Sequence, residues 1–350
     1  LMHMNPDGTA QMEYYGSNSY WPNSMFYARP IPGHPTKVAA IVSGHHGVRR
    51  MGELVIFDPA QGRFEAEGAV QKIPGYGKKV EPVMKDRLVD DVWPKFLHPF
   101  PLSENFFLVA AQPTENSLWG IYLVDTFDNM VLIKEEKNFS LLEPVPFRKT
   151  KRPPVIPDKV DLNRKDAIVY MADVYVGPGL EDVPRGTITD MRVFEWIYAY
   201  QDIGGHAAVT VEGGWECKRI LGTVPVEEDG SAMFRVPANT PISIQPLDEE
   251  GKAVQLMRSW MTAMPGEVLS CVGCHEKQST APPAYATIAS RKGPANIEPW
   301  YGPARGFGFI REVQPVLDKF CVGCHDGTPR GDGKFLPDFK NTEPGVGGFT

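Results

Sequence analysis

Two short segments of this sequence place a pair of cysteines and a histidine at the same fixed spacing. Both read Cys-Val-Gly-Cys-His, and each is followed by an acidic residue. The side chains concerned are Cys271, Cys274 and His275 in the first motif and Cys321, Cys324 and His325 in the second. Two thiols three positions apart lie on one face of a helical turn, where they can bond both vinyl groups of a porphyrin edge. The adjacent imidazole can then reach the iron as an axial ligand. The motifs therefore predict two covalently bound haem c groups.

Two other uses of paired cysteines remain as alternatives. A structural zinc site would use four thiolates, but its two pairs are usually separated by roughly 15 to 20 residues. Here 46 residues lie between Cys274 and Cys321. Zinc also gives no reason for a histidine to follow each pair in a chain with 8 histidines among 350 residues. A thioredoxin-like redox pair needs a βαβ setting, which neither motif has. The sequence favours haem over both.

The sixth ligands of the two irons are less clearly marked. Neither histidine nor methionine follows His325 before Thr350, so the second iron takes a sixth ligand from upstream, from sequence beyond Thr350, or takes none. For the first iron, the candidates are side chains near the motif or in a glycine-rich loop that can ligate iron: Met257, Met261, Met264, His206, Tyr285 and Tyr301. Core packing explains each methionine more simply.

Three further side chains with metal-binding chemistry lie outside the motifs. The pair His45-His46 stands between two glycines and suggests a metal or cofactor contact, although a solvated turn explains it more simply. The fifth cysteine, Cys217, is expected to pack as a small apolar residue.

Composition limits the partners and the location. A formal net charge of −7 argues against electrostatic binding of nucleic acid or anionic lipid. No stretch reaches the roughly 18 to 20 apolar residues that a transmembrane helix needs. Four of the five cysteines lie in the two motifs, which is a poor fit to a disulfide framework. Because haem c is attached outside the cytoplasm, we expect a periplasmic or otherwise extracytoplasmic location.

Residues 1–142 show β-hairpins in series, each with an apolar strand, a turn rich in Asp, Asn or Gly, and a return strand. Strands are predicted at 53–58, 106–112, 120–125 and 130–133. Four-stranded units of this kind predict a partial β-propeller of about two blades, where closure needs about four to eight. The sequence starts inside what reads as a strand, so we expect a fragment whose remaining blades and signal peptide lie upstream of Leu1.

A linker and two domains are predicted after the propeller. Residues 143–166 are rich in proline and basic side chains, as linkers are. Residues 167–300 are strand-like, with hairpin turns at Asp229-Gly230 and Glu250-Gly251, and predict a mainly β, sandwich-like middle domain that carries the first motif. Residues 301–350 carry the second motif and predict the start of a small α-helical, cytochrome c-like domain. Its helix is indicated by apolar residues at helical spacing: Ile310, Val313, Val316, Leu317 and Phe320.

Several segments before the first motif resemble the hydrazine synthase alpha-subunit family. These segments are Gly-Thr-Val-Pro-Val-Glu at 222–227, Asp-Gly-Ser-Ala at 229–232, Phe-Arg-Val-Pro-Ala-Asn-Thr-Pro at 234–241, Met-Arg-Ser-Trp at 257–260 and Pro-Gly-Glu at 265–267. The resemblance implies a propeller, a middle β domain with one haem c, and a cytochrome c-like domain with a second. It also implies an oxidoreductase with a catalytic haem at Cys271 and Cys274 and an electron-transfer haem at Cys321 and Cys324.

One position departs from the family pattern. The resemblance implies an iron-ligating tyrosine at position 279 and a zinc-binding role for His275, but the chain has Ser279. A serine hydroxyl is a poor iron ligand, so we expect His275 to be an ordinary axial ligand and the hydrazine-forming chemistry to be absent.

The expected function is that of an extracytoplasmic diheme c-type cytochrome in electron transfer, with redox catalysis on a small molecule at the first haem as an added expectation. A redox partner protein or subunit follows from that role. The alternative function is a propeller binding module with structural zinc at the cysteine pairs.

Overall fold

The computed structural model describes residues 1–340 except 17–18, 45–49, 198–217, 258, 275–279, 304, 306–307 and 335. The chain divides into two compact units. The first comprises residues 1–5 and 11–156, and the second residues 6–10 and 157–350. Strands far outnumber helices in the part of the chain that the structure describes, which confirms the mainly β prediction. No helix among the described residues is long and apolar enough to cross a membrane.

The first unit contains two four-stranded antiparallel sheets and a small pair, β1 (Met2–His3) with β2 (Met12–Glu13). The first large sheet consists of β3 (Ser24–Pro30), β4 (Val38–Ser43), β5 (Glu53–Phe57) and β6 (Ala69–Ile73). The second consists of β7 (Lys95–Pro101), β8 (Phe106–Gln112), β9 (Gly120–Asp125) and β10 (Met130–Lys134). In both sheets each strand pairs with its neighbours in the chain. The strands predicted at 53–58, 106–112, 120–125 and 130–133 match β5, β8, β9 and β10.

Alternating apolar residues pack the two large sheets against one another. Ile41 and Leu54 of the first sheet share a core with Phe107, Val109 and Tyr122 of the second. The opposite face of the first sheet is also buried, against the fully enclosed Tyr15 and Trp21. Because successive side chains in a strand point to opposite faces, burial of both faces requires a continuous apolar run such as β4.

The turn between β9 and β10 shows how a short polar sequence fixes a hairpin. The Asp125 carboxylate accepts hydrogen bonds from the backbone N–H groups of Phe127 and Asn129 at 2.9 and 3.0 Å. Asp128 between them adopts a positive φ of 69°, a conformation that Asp tolerates better than most residues. The hairpin predicted between the strands at 120–125 and 130–133 is confirmed.

Residues 141–161 contain neither helix nor strand, and most of their side chains are exposed. We predict that trypsin cleaves native protein first in this segment, at Arg148, Lys149 or Lys151, because exposed backbone without regular hydrogen bonds fits a protease site most easily. Time-resolved digestion with mass spectrometry would locate the cut. Basic residues inside strands, such as Lys72 and Arg235, are the internal controls. First cleavage within residues 187–260 would contradict the linker assignment.

The second unit contains two three-stranded sheets. One has the order β14 (Ala232–Pro237), β11 (Asp166–Met171), β16 (Val268–Cys271), and the other has the order β13 (Lys218–Pro225), β12 (Asp190–Trp196), β15 (Ile242–Leu247). All pairs are antiparallel except β11 with β16, which is parallel. The two sheets share one core, in which Val169 and Phe234 of the first pack with Met191, Val193 and Ile244 of the second.

The hairpin predicted at Asp229-Gly230 is wrong. A tight turn is present, with the Gly230 N–H donating to Glu227 O at 2.8 Å, but the flanking strands β13 and β14 enter different sheets. The Asp229 carboxylate explains part of this path, since it accepts the N–H of Ile288 at 2.8 Å and so ties the turn to the start of α1 (Ile288–Lys292). A turn sequence specifies a reversal of the chain and not which strands then pair.

The predicted C-terminal helix is present but begins irregularly. A π-helical turn over Phe309–Val313 leads into α2 (Gln314–Phe320). Pro315 has no backbone N–H to donate, so it is tolerated in the first turn of α2 and not within a continuous helix. The chain then passes directly from Phe320 into the second motif.

Candidate functional site

The second motif forms a helical turn at the end of α2. The N–H of Cys321 donates to Leu317 O at 2.8 Å, and the N–H groups of Cys324 and His325 both donate to Cys321 O, at 3.0 and 2.9 Å. Cys321 and Cys324 are partly or fully exposed thiols outside any disulfide. The backbone of this motif therefore forms the helical turn that the spacing predicts.

The His325 ring is held by the segment that follows the motif. Its Nδ1 lies 3.3 Å from the carbonyl oxygen of Pro337, and its ring stacks on Phe339 with 4.4 Å between centroids and 2° between planes. A carbonyl oxygen only accepts hydrogen bonds, so this contact requires the proton on Nδ1 and leaves the Nε2 lone pair available. Metal-bound histidines commonly have their second nitrogen fixed in this way.

Hydrogen bonds from Phe339 and Lys340 connect the end of the described chain to His325 and Asp326. The Phe339 N–H donates to His325 O at 3.0 Å, and Lys340 Nζ donates to Asp326 O at 2.7 Å. Hydrogen bonds from the Thr328 hydroxyl and then its N–H lower the pKa of the Asp326 carboxyl. Gly327 has a φ of +73°, and an added Cβ would lie 2.9 Å from Asp338 Oδ2.

The sequence pattern does not mark Pro337 and Phe339 as neighbours of His325, or Gln314 as a neighbour of Phe339. The turn signals between them were available: Asp326-Gly327 and the Gly-Asp-Gly run at 331–333 indicate that the chain reverses after the motif. These signals do not identify the residue that contacts the imidazole, because that depends on the length of the segment that returns to it.

The first motif has a different setting. Cys271 is the last residue of β16 and pairs with Met171 of β11. Two further backbone hydrogen bonds join the chain segments that follow these residues. Cys271 O accepts the N–H of Ala172 at 3.0 Å, and Val272 O accepts that of Asp173 at 2.9 Å. The helical turn expected at both motifs is therefore wrong for Cys271, because parallel pairing with β11 keeps the chain extended there.

Beyond Cys271 the chain lies close against the loop that follows β11. A Cβ added at Gly273 would lie 2.1 Å from Val176 O and 2.8 Å from Asp173 O, so only glycine fits. Cys274 is partly buried and packs against the small cluster of Val174, Leu180 and Ile188. Both thiols of this motif also lie against the main core of the unit.

Of the candidate sixth ligands for the first iron, Met257 and Met261 pack against the same core as the two thiols. Met264 instead lies against the turn at Gly8, where an added Cβ would be 3.0 Å from its Sδ. Tyr285 and Tyr301 are largely exposed. The packing of Met257 and Met261 is the core role that explains a methionine most simply.

Several predicted residues lie outside the described residues: His275, Ser279, His206, Cys217 and the pair His45-His46. Among the residues that the structure does describe, no three His, Cys, Asp or Glu side chains come together as a set of metal ligands. All four motif cysteines are described, so they do not gather into the four-thiolate site that the zinc alternative requires.

Two large cavities lie away from the motif thiols. One, of about 730 Å³, lies in the first unit and is lined in part by Trp21, Lys72 and Trp93. The other, of about 670 Å³, lies in the second unit beside Phe194 and Trp300. The motif cysteines line neither cavity, so cavity size gives no guide to these sites.

Comparison with known proteins relates the chain to one family. Residues 186–276 match the family model described as the hydrazine synthase alpha subunit middle domain. No curated protein matches the sequence. Among solved structures, a chain of Kuenenia stuttgartiensis hydrazine synthase superposes with a TM-score of 0.62 at 15% identity, over 91% of this chain and 49% of that one. This chain therefore spans about half the length of the one it matches.

At that identity the structural match establishes shared fold alone, whereas the family match rests on sequence and ends one residue past His275. The resemblance predicted from the segments between 222 and 267 is confirmed. Through residues 186–276 the chain is related to the middle domain of the hydrazine synthase alpha subunit.

Proposed function

We propose that this chain binds two haem c groups and serves in electron transfer in an extracytoplasmic compartment. Each haem would be held by thioether bonds from one pair of thiols, Cys271 with Cys274 and Cys321 with Cys324. His275 and His325 would be axial ligands. Bound haem supplies one-electron chemistry at its iron, and an iron with an open sixth position also binds small molecules.

The single observation that carries this proposal is the arrangement at the second motif. Two thiols on one helical turn precede an imidazole whose Nδ1 lies 3.3 Å from a carbonyl oxygen, which leaves Nε2 as the coordinating atom. Zinc bound by cysteine pairs would leave this orientation of His325 unexplained.

Exposed apolar side chains beside the second motif also fit a porphyrin. Phe320 is 71% exposed and Val316 is 52% exposed, although both lie on the helix that leads into Cys321. A large apolar cofactor next to the thiols would cover this aromatic and aliphatic surface. At the first motif, the partly buried thiols lie against the core, where the residues present can exclude water from one side of a bound group.

The two four-stranded sheets of the first unit are proposed to be blades of a β-propeller. Each is a meander of strands in chain order, as propeller blades are. The second sheet has a further apolar face, on which Leu108, Leu123 and Val131 lie opposite one another across three strands. Val131 is 53% exposed, so this face has room for another sheet. The two sheets around one core in the second unit support the proposed sandwich-like middle domain.

A partner subunit is proposed from the family description, which names the alpha subunit of a larger enzyme. That partner would exchange electrons with this chain. Redox catalysis on a small molecule is proposed for the first site, since the family match covers Cys271 and Cys274 and the second motif lies outside it. We also propose domain boundaries at residues 142, 166 and 300.

The proposal is tested by the optical spectrum of the purified protein made together with a haem c maturation system. We expect a coloured protein whose absorption changes on reduction and whose haem stays with the chain after denaturation, because thioether bonds survive unfolding. Colourless protein that contains zinc would support the alternative binding module. Haem that extracts into acidified solvent would contradict covalent attachment.

A further inference from the structure

Phe339 makes the closest ring contact to His325 in the described part of the chain. The two rings are parallel to within 2° at a centroid separation of 4.4 Å, and the backbone of Phe339 also donates to the His325 carbonyl. The imidazole is thus held by a ring on one face and by the Pro337 carbonyl at its edge. These two contacts restrict rotation of the ring about its bond to the backbone.

A buried amide fixes Phe339 in turn. Gln314, in the first turn of α2, is only 6% exposed, and its Nε2 donates to Phe339 O at 2.8 Å and to Asp318 Oδ1 at 2.7 Å. Burying an amide without hydrogen-bond partners costs free energy, so loss of either hydrogen bond from Gln314 Nε2 would destabilise this arrangement. The helix that carries the cysteines is therefore tied to the residue that stacks on the histidine.

We propose that Phe339 and Gln314 are positioning residues for His325. Phe339 sets the plane of the imidazole, and Gln314 keeps Phe339 in place, so that Nε2 is aimed before any ligand is bound. This inference rests on the proposed haem at the second motif for its functional meaning. The orientation of an axial imidazole and the hydrogen bond at its other nitrogen both tune a bound iron.

The test uses the full chain in two forms. In the chain without haem, nitrogen NMR of the His325 ring is expected to show the proton on Nδ1, together with a ring-current shift from Phe339. Phe339→Leu should abolish that shift and mix the two tautomers, whereas Phe339→Tyr should restore both. Gln314→Leu should act in the same direction as Phe339→Leu. Phe309→Leu is the matched control, because it removes an exposed ring from the same region.

In the haem-loaded chain, Phe339→Leu should leave both haems attached by mass, since the thiols are untouched. It should shift the reduction potential and the electron paramagnetic resonance signature of one haem, and Phe339→Tyr should reverse the shift. If the loaded Phe339→Leu protein matches wild type in both readouts, the inference is wrong. If the NMR result holds but no haem attaches, the proposed function is wrong and the positioning of His325 stands.

Discussion

Replacement of Cys321 and Cys324 by alanine is expected to remove one covalently bound haem and to leave the other in place. The two motifs lie on different elements, one at the end of α2 and the other at the end of β16, and their four thiols do not come together. The intact mass of the variant should therefore exceed that of its apo chain by one haem instead of two. The converse pair, Cys271→Ala with Cys274→Ala, should give the same mass excess.

Cys217→Ala is the control for this experiment, because it removes a thiol that belongs to neither motif. It should retain two haems. A mass with no haem in either double variant would show that the two sites depend on each other. If the purified protein contains zinc and no haem, both proposed haem sites are wrong.

Substitution of Gly273 by alanine is expected to destabilise the second unit by roughly 1 to 3 kcal/mol, the usual cost of forcing an extra carbon into a packed region. The added Cβ would lie 2.1 Å from Val176 O, so either β16 or the loop after β11 must shift. Denaturant unfolding measures the loss. In the haem-loaded protein, the fraction of first sites that carry haem should fall as well, because the same shift displaces Cys274.

The second motif supplies a matched control. Gly323 occupies the same position of an identical Cys-Val-Gly-Cys-His sequence, but nothing lies within 4 Å of an added Cβ there. Gly323→Ala should change stability by no more than about 0.5 kcal/mol, as surface substitutions usually do. Equal effects of the two substitutions would show that the close contact of Gly273 with Val176 O and Asp173 O is not what requires glycine.

The regular parts of the fold could be predicted from local sequence. Short continuous apolar runs mark β8 and β9, and Asp125 with its neighbours marks the turn that follows, since both signals act over a few residues. Helical spacing likewise located α2. These elements are specified by residues adjacent in the chain, and no distant contact is needed to recognise them.

Pairing between distant strands could not be predicted in this way. The turn at Asp229-Gly230 was expected to join partners, yet β14 pairs with β11 and β13 with β12. The surroundings of the two cysteine motifs could not be predicted from local sequence either. Spacing alone predicted the thiols and imidazoles, but the two glycines of identical motifs differ in surroundings, and the ring on His325 comes from residue 339.

The parallel pairing of β16 with β11 has a consequence for the order of folding. Cys271 meets Met171, 100 positions earlier in the chain, so the first site is complete only when a long loop has closed. The second site joins residues 325 and 339, and loops this short close far sooner. The thiols of Cys271 and Cys274 are therefore most accessible before β16 pairs with β11, and docking of the strand leaves both partly buried.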